Sequence, residues 1–225
     1  MSVEIIVPWR TDDEPWRETA WNWCQARWMT LFPEWPIVTA DDGASEGSFV
    51  VPRALNRAVE ASSAEILVVV GADTVLRSGS VLEAVDIARE GRWVMMADTM
   101  HRCDRLDTER VLGEDPTVDG FARLGRRRVC QLGWGPLCAP RAMLLERLWD
   151  ERFTAGGEDD AFGVAAQTLW GDPARVVRSP AWLLWHPSPM RSKHPDRDAA
   201  VALLGRYKDA RWDPAKMRAL TMEWQ

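Results

Sequence analysis

Ile66-Leu67-Val68-Val69-Val70-Gly71-Ala72-Asp73 decides the fold. Its five apolar residues show no polar alternation, which marks a strand covered on both faces, as in a parallel sheet flanked by helices. The run then stops at a glycine and delivers a carboxylate. The same pattern occurs twice upstream. Glu4-Ile5-Ile6-Val7 ends at Pro8 and is followed by Trp9-Arg10, while Pro36-Ile37-Val38-Thr39-Ala40 ends in the turn-forming cluster Asp41-Asp42-Gly43-Ala44-Ser45.

Helical segments separate these strands. Asp12 or Asp13 is placed to cap a first helix with Pro15 in its opening turn, and Trp16, Ala20, Trp23, Cys24, Trp28 and Leu31 recur at helical spacing. Pro52 opens a second helix carrying Ala54, Leu55, Ala58 and Val59. Ser80 and Glu83 read as a capping box before Val81, Leu82, Val85 and Ala88, and Trp93 to Ala97 reads as a fourth strand. Alternating strands and helices predict an α/β domain with a mostly parallel central sheet. Such sheets bind ligands beyond the carboxyl ends of their strands, where Trp9-Arg10, Asp41-Asp42 and Asp73 emerge.

Residues 98–139 carry many charges and no long periodic segment. Helices are then predicted after Pro140 (Met143, Leu144, Leu148), from Glu158 to Trp170 and from Asp198 to Lys208, with short strands around 175–177 and 182–185. Neither a repeat nor a low-complexity linker divides the chain, so residues 1–225 are expected to form one domain.

Composition narrows the functional classes. A net charge of -6 disfavours nucleic acid as a partner, and Arg126-Arg127-Arg128 reads as a solvated loop. No apolar stretch approaches the roughly 18 residues of a membrane span, no basic leader precedes the first strand, and the cysteines Cys24, Cys103, Cys130 and Cys138 lack the spacing of a disulfide or zinc framework. These features predict a soluble cytoplasmic protein. Trp16, Trp23 and Trp28 are assigned to packing on the first helix.

Two sets of residues carry candidate chemistry. Gly156-Gly157-Glu158-Asp159-Asp160 places three carboxylates at a helix start, and crowded carboxylates raise one another's proton affinity, as a general base requires. Asp73 and His186, each at the end of an apolar run, are candidate ligands for manganese or magnesium, with phosphate oxygens completing the shell.

These stretches resemble a known family. Ile6-Val7-Pro8-Trp9-Arg10 resembles the opening of the β-1,4-galactosyltransferases. Asp41-Asp42-Gly43-Ala44-Ser45, Ala54-Leu55-Asn56-Arg57-Ala58 and Gly71-Ala72-Asp73 are similar to segments of the large inverting glycosyltransferase family, and Gly156 to Asp160 to a stretch shared with polypeptide N-acetylgalactosaminyltransferases. The resemblance implies a GT-A, Rossmann-like nucleotide-sugar-binding fold. Residues 1–97 would bind the nucleotide, 98–186 would form the acceptor and catalytic half, and 187–225 a mobile basic tail and C-terminal helix.

Position by position, it implies that Pro8, Trp9, Arg10, Asp41, Asp42, Asn56, Arg57 and Ala72 border the donor, a UDP-sugar, and that Gly133-Trp134-Gly135 covers the sugar. Arg191 and Lys193 would neutralise the leaving diphosphate, and Asp73 and His186 would hold Mn2+ or Mg2+. Asp159 would be the base of an inverting transfer, with Glu158 and Asp160 orienting hydroxyls; retention is the stereochemical alternative. The acceptor would be a protein, glycan, lipid or modified nucleobase. Two positions depart from the pattern: Gly71 replaces the first carboxylate of Asp-X-Asp, and Ala155 replaces a tryptophan. The rival readings are an inactive nucleotide- or sugar-binding module, and a nucleotidyltransferase, which requires a glycine-rich phosphate loop where Pro8-Trp9-Arg10-Thr11 stands.

Overall fold

The computed structural model describes residues 1–11, 14–44, 47–121, 124–133, 135–187 and 194–225. The three apolar runs pair in parallel: β1 (Val3–Pro8) lies between β2 (Ile37–Ala40) and β3 (Ile66–Val69). Ile5 aligns with Ile37 on one side and Val68 on the other, and Ile5, Ile6 and Val7 are wholly buried. Their unbroken hydrophobicity thus reflects helices on both faces. α1 (Pro15–Leu31) links β1 outward to β2, and α2 (Val51–Ala61) returns past β1 to β3. Right-handed crossovers running in opposite directions put these helices on opposite faces.

The α1 start differs from expectation. Glu14 is the cap, its carboxylate accepting from Trp16 N at 3.2 Å; Asp12 and Asp13 lie outside the described residues. The helix buries more than one stripe, because residues 114–121 cover its outer side. Trp23 Nε1 donates to Glu114 O at 3.1 Å, and the buried Arg27 guanidinium donates to the carbonyls of Pro116, Val118 and Leu76 and to Asp119. Burial holds the Arg27 pKa below its ordinary value, and the adjacent Asp119 carboxylate counters this.

Beyond β3 the chain forms β4 (Thr74–Leu76) and α3 (Ser78–Arg89). This helix begins two residues before Ser80, so the predicted capping box does not form and Ser80 is buried within the first turn. Only β5 (Val94–Met95) of the fourth apolar run pairs as strand. β8 (Leu137–Pro140) inserts antiparallel between β3 and β5, and β9 (Ala174–Arg175) completes the order β2-β1-β3-β8-β5-β9.

A second sheet has the order β4-β10-β6-β7, where β6 is Thr99–Arg102, β7 is Arg126–Val129 and β10 is Pro180–Leu183. Arg126 to Arg128 therefore form a strand, correcting the loop reading. All four β7 residues are exposed, so burial leaves no apolar imprint on their sequence. α4 (Arg105–Leu112) follows β6, α5 (Arg141–Leu144) is a short turn after β8, and α6 (Glu158–Trp170) has the predicted bounds. The core is one cluster that includes all four cysteines as free thiols.

α7 (Arg197–Asp209) and α8 (Pro214–Met222) pack on α6. A fully buried carboxylate fastens them: Asp150 Oδ2 accepts from Tyr207 Oη at 2.9 Å and from Arg152 Nη2 at 2.7 Å. Arg152 continues to Glu223 at 3.0 Å, and Glu223 also pairs with Arg206. Tyr207→Phe removes one buried hydrogen bond and is expected to cost about 1 kcal/mol. Asp150→Ala, which leaves the buried Tyr207 hydroxyl unpaired and Arg152 with Glu223 as its remaining carboxylate, is expected to cost more, about 2 kcal/mol. Urea denaturation of the two variants measures both losses, and equal losses would contradict the hub.

Candidate active site at the carboxyl edge of the sheet

The parallel trio β2-β1-β3 brings three loop starts to one edge. Pro8 aligns with Ala40, and Trp9 N donates to Ala40 O at 2.9 Å, so Trp9 and Arg10 leave beside Asp41 and Asp42. Arg10 donates to Asp42 Oδ1 and Ala44 O, both at 3.1 Å, and to Gly47 O at 2.6 Å. Asp42 is buried, and its other oxygen accepts from Val50 N at 3.0 Å. Together they shape the loop after β2 and hold the start of α2. Exposed Asp41 accepts from Gly43 N at 2.8 Å, leaving its second oxygen toward solvent. Arg57 lies across Gly43: a Cβ there would approach Arg57 Cζ to 3.0 Å, and the glycine has φ 72°. Ser45 lies outside the described residues.

Asn56 faces inward. Its amide nitrogen donates to Trp149 O at 2.8 Å and to Glu151 Oε1 at 3.1 Å, tying α2 to the segment before α6.

Asp73 sits in the turn between β3 and β4, with half-buried Ala72 before it and Thr74 N donating to Gly71 O at 3.1 Å. β10 pairs antiparallel with β4, and the ladder extends by one bond from Leu184 N to Asp73 O at 2.9 Å. That bond brings His186 Nε2 to 3.6 Å from Asp73 Oδ2, with both side chains about a quarter exposed, at 25% and 28%. His186 Nδ1 lies 2.9 Å from Pro187 O. A carbonyl only accepts, so Nδ1 carries a proton; the neutral imidazole then turns the Nε2 lone pair toward Asp73. An imidazole nitrogen and a carboxylate oxygen facing the crevice, with the ring fixed through its other nitrogen, suit manganese or magnesium. Among the described residues no group of three or more such ligands occurs, so other donors must complete a metal's shell.

Gly71 also has a steric role. A Cβ there would meet Thr74 Oγ1 at 2.8 Å and Asp73 Oδ1 at 2.9 Å. A carboxylate at position 71 requires the present Asp73 arrangement to shift.

The acidic cluster reaches this edge through the loop before β8. Leu137 pairs with Val69 at the carboxyl end of β3, and the preceding loop lies on α6. Gly133, at φ 79°, is so close that an added Cβ would overlap Asp159 O and come within 2.7 Å of Gly163 N. Gly163 in turn faces Leu132 O, 2.5 Å from where its Cβ would stand. Glu158 is buried, Asp160 half-buried and Asp159 exposed on the first turn of α6, whose cap Gly157 is left-handed at φ 96°. Gly135, at φ 84°, packs toward Met100 and Cys130. Trp134, Arg191 and Lys193 lie outside the described residues.

The sequence reading missed an aromatic rim. Arg17 stacks over Trp9 at 5.4 Å, Trp16 meets Trp185 edge-on at 5.4 Å, and Arg105 covers Trp16 at 4.8 Å. The position of Trp185, next to His186, was the available signal. Trp16 is half-buried on this rim, unlike the buried Trp23 and Trp28.

Solved structures share the fold. Staphylococcus aureus TarS in complex with UDP-GlcNAc matches 100% of this chain and 71% of its own, with TM-score 0.55 and 13% identity. Glucosyl-3-phosphoglycerate synthase from Mycobacterium tuberculosis, solved with Mn2+, UDP and glucosyl-3-phosphoglycerate, matches over 92% and 78%, with TM-score 0.51 and 15% identity. The fold is GT-A. No protein-family model and no curated protein matches the chain. Within this sheet β8 alone runs antiparallel to its neighbours, while β2-β1-β3 and β5-β9 pair in parallel.

In metal-free protein the Asp73 contact, aided by the Pro187 carbonyl, raises the His186 pKa, opposed by burial and the Arg17 charge. This contact stabilises the fold below the ordinary imidazole pKa, and the contribution fades as pH rises through the higher folded value. NMR titration is expected to show His186 above its ordinary value and a fall in Asp73→Asn; an unchanged titration would refute the pairing. Gly163→Ala is expected to lower thermal stability by several degrees while preserving helix content, because the loop must lift off α6. Unchanged stability would show that the close packing is relieved without cost.

Proposed function

We propose that the chain is a glycosyltransferase that moves a sugar from a nucleotide-diphosphate donor, a UDP-sugar, to an acceptor hydroxyl. The observation that carries this reading is the Asp73 and His186 pair, with its fixed imidazole, at the carboxyl edge of a GT-A sheet. The solved neighbours bound to UDP-GlcNAc, or to Mn2+ and UDP, support the donor class and the metal. Asp73 and His186 would hold Mn2+ or Mg2+, which when bound would offset charge on the diphosphate leaving group.

The remaining roles belong to the chain itself. Trp9, with Arg17 over its ring, borders the nucleotide, and the loop held by Arg10 and Asp42 presents Asp41 to the base or ribose. Asp159, exposed on the first turn of α6, takes the proton from the acceptor hydroxyl as it attacks the anomeric carbon with inversion. Glu158 and Asp160 orient hydroxyls from the same turn. Arg191 and Lys193 supply positive charge to the leaving diphosphate. A groove of about 190 Å³ between Ala155–Gly157 and α7 opens beside this turn and is the place we assign to the acceptor. The small side chain of Ala155 helps leave that space.

Calorimetry with UDP and GDP, in manganese, magnesium or chelator, tests the assignment. UDP binding is expected to need the metal, to be lost in Asp73→Asn and to persist in Asp159→Asn. Donor hydrolysis or transfer is expected to fall by about 10²-fold or more in Asp159→Asn. Metal-dependent UDP binding without turnover in the unaltered protein would instead favour a binding module, the reading to which Gly71 lends weight. Absence of nucleotide binding would overturn the proposal.

A further inference from the structure

β7 is the terminal strand of the second sheet, and its sequence is Arg126-Arg127-Arg128-Val129. Cys130 N donates to Asp98 O at 3.0 Å, which fixes the ladder phase: Arg126 and Arg128 bond toward β6. Arg127 and Val129 consequently turn their N–H and C=O groups to the side on which no strand pairs among the described residues. The arginine side chains alternate between faces, with Arg126 and Arg128 together and Arg127 beside Val129. None of the three has an acidic partner among the described residues, although the chain as a whole carries a charge of -6.

Asp98, just before β6, ties the starts of the neighbouring segments together. Its backbone N donates to Ser179 O at 3.0 Å, and its carboxylate accepts from Arg178 N at 2.7 Å, which holds residues 178–179 on the β10 side of β6, away from the β7 edge. Asp98 sets one carboxylate beside the Val129 end of the strand. Val129, 69% exposed, adds an apolar side chain on the edge strand itself.

We propose that this edge binds an extended acidic peptide segment of a partner protein by strand addition. An incoming strand satisfies both the donors and the acceptors of Arg127 and Val129, and places alternate carboxylates opposite Arg126 and Arg128. Phosphates of a nucleic acid accept hydrogen bonds but cannot donate to the two carbonyls. A second copy of β7 would set arginine against arginine. The Arg126 end aligns with Arg102, at the same end of the sheet as His186, since β6 and β10 are parallel. The proposal stands independently of sugar transfer.

Fluorescence anisotropy with the full chain and a labelled peptide of about ten residues alternating Glu and Val tests it. Binding is expected, weakened about tenfold or more by Arg126→Glu with Arg128→Glu. It is also expected to be lost when alternate residues of the peptide are proline, which removes the ladder donors. Circular dichroism verifies that the variant is folded, and Glu60→Gln serves as a remote charge control. Equal affinity for the proline peptide, no binding of the parent peptide, or preference for an oligonucleotide of equal charge would each overturn the proposal.

Discussion

The hydrogen bond from Leu184 N to Asp73 O carries the β4–β10 ladder of the second sheet into the turn that leaves β3, where the candidate chemistry lies. Asp73 leaves the carboxyl end of β3 and His186 follows β10, more than a hundred residues later. Their separation in the folded chain is set by the β4–β10 register, in which Leu183 aligns with Thr74. A one-residue slip would turn alternate side chains to the opposite face and carry His186 away from Asp73. The site consequently depends on long-range strand pairing, which the burial of Trp182 and Leu184 in the core anchors.

The sequence was most legible where burial imposed a simple pattern. Ile5-Ile6-Val7 and Ile66 to Val69 are covered on both faces, so their hydrophobicity identified a parallel interior. Glu158 to Trp170 retained the bounds implied by its opening glycines and acids. Legibility failed where partners come from afar. Arg27 looks like a surface residue until the carbonyls of Leu76, Pro116 and Val118 are placed around its guanidinium. Arg126 to Arg128 form an edge strand without a buried face. The β8 direction also follows from pairing with β3 and β5, which no local periodicity encodes.

The same distinction runs through the candidate site. Asp73 and His186 were visible as polar residues after apolar runs, and the structure brings their side chains together. Arg10 and Asp42 were also conspicuous, but their observed contacts organise the loop that presents Asp41. Asn56 is directed to Trp149 and Glu151, a partnership across more than ninety residues. Motif resemblance located segments, while the direction of each side chain required the tertiary contacts.

The four core cysteines give the molecule a chemical record of opening. Burial, joined by nearby carboxylates, pushes the Cys103 thiol up to about 12; burial also raises Cys130, to about 11, despite the opposing charge of Arg175. Cys24 and Cys138 are shifted upward further by burial. Native thiols are therefore both shielded and rarely ionised, whereas an unfolded chain exposes four ordinary ones. Alkylation by a thiol reagent becomes a clock whose rate records how often the core unlocks.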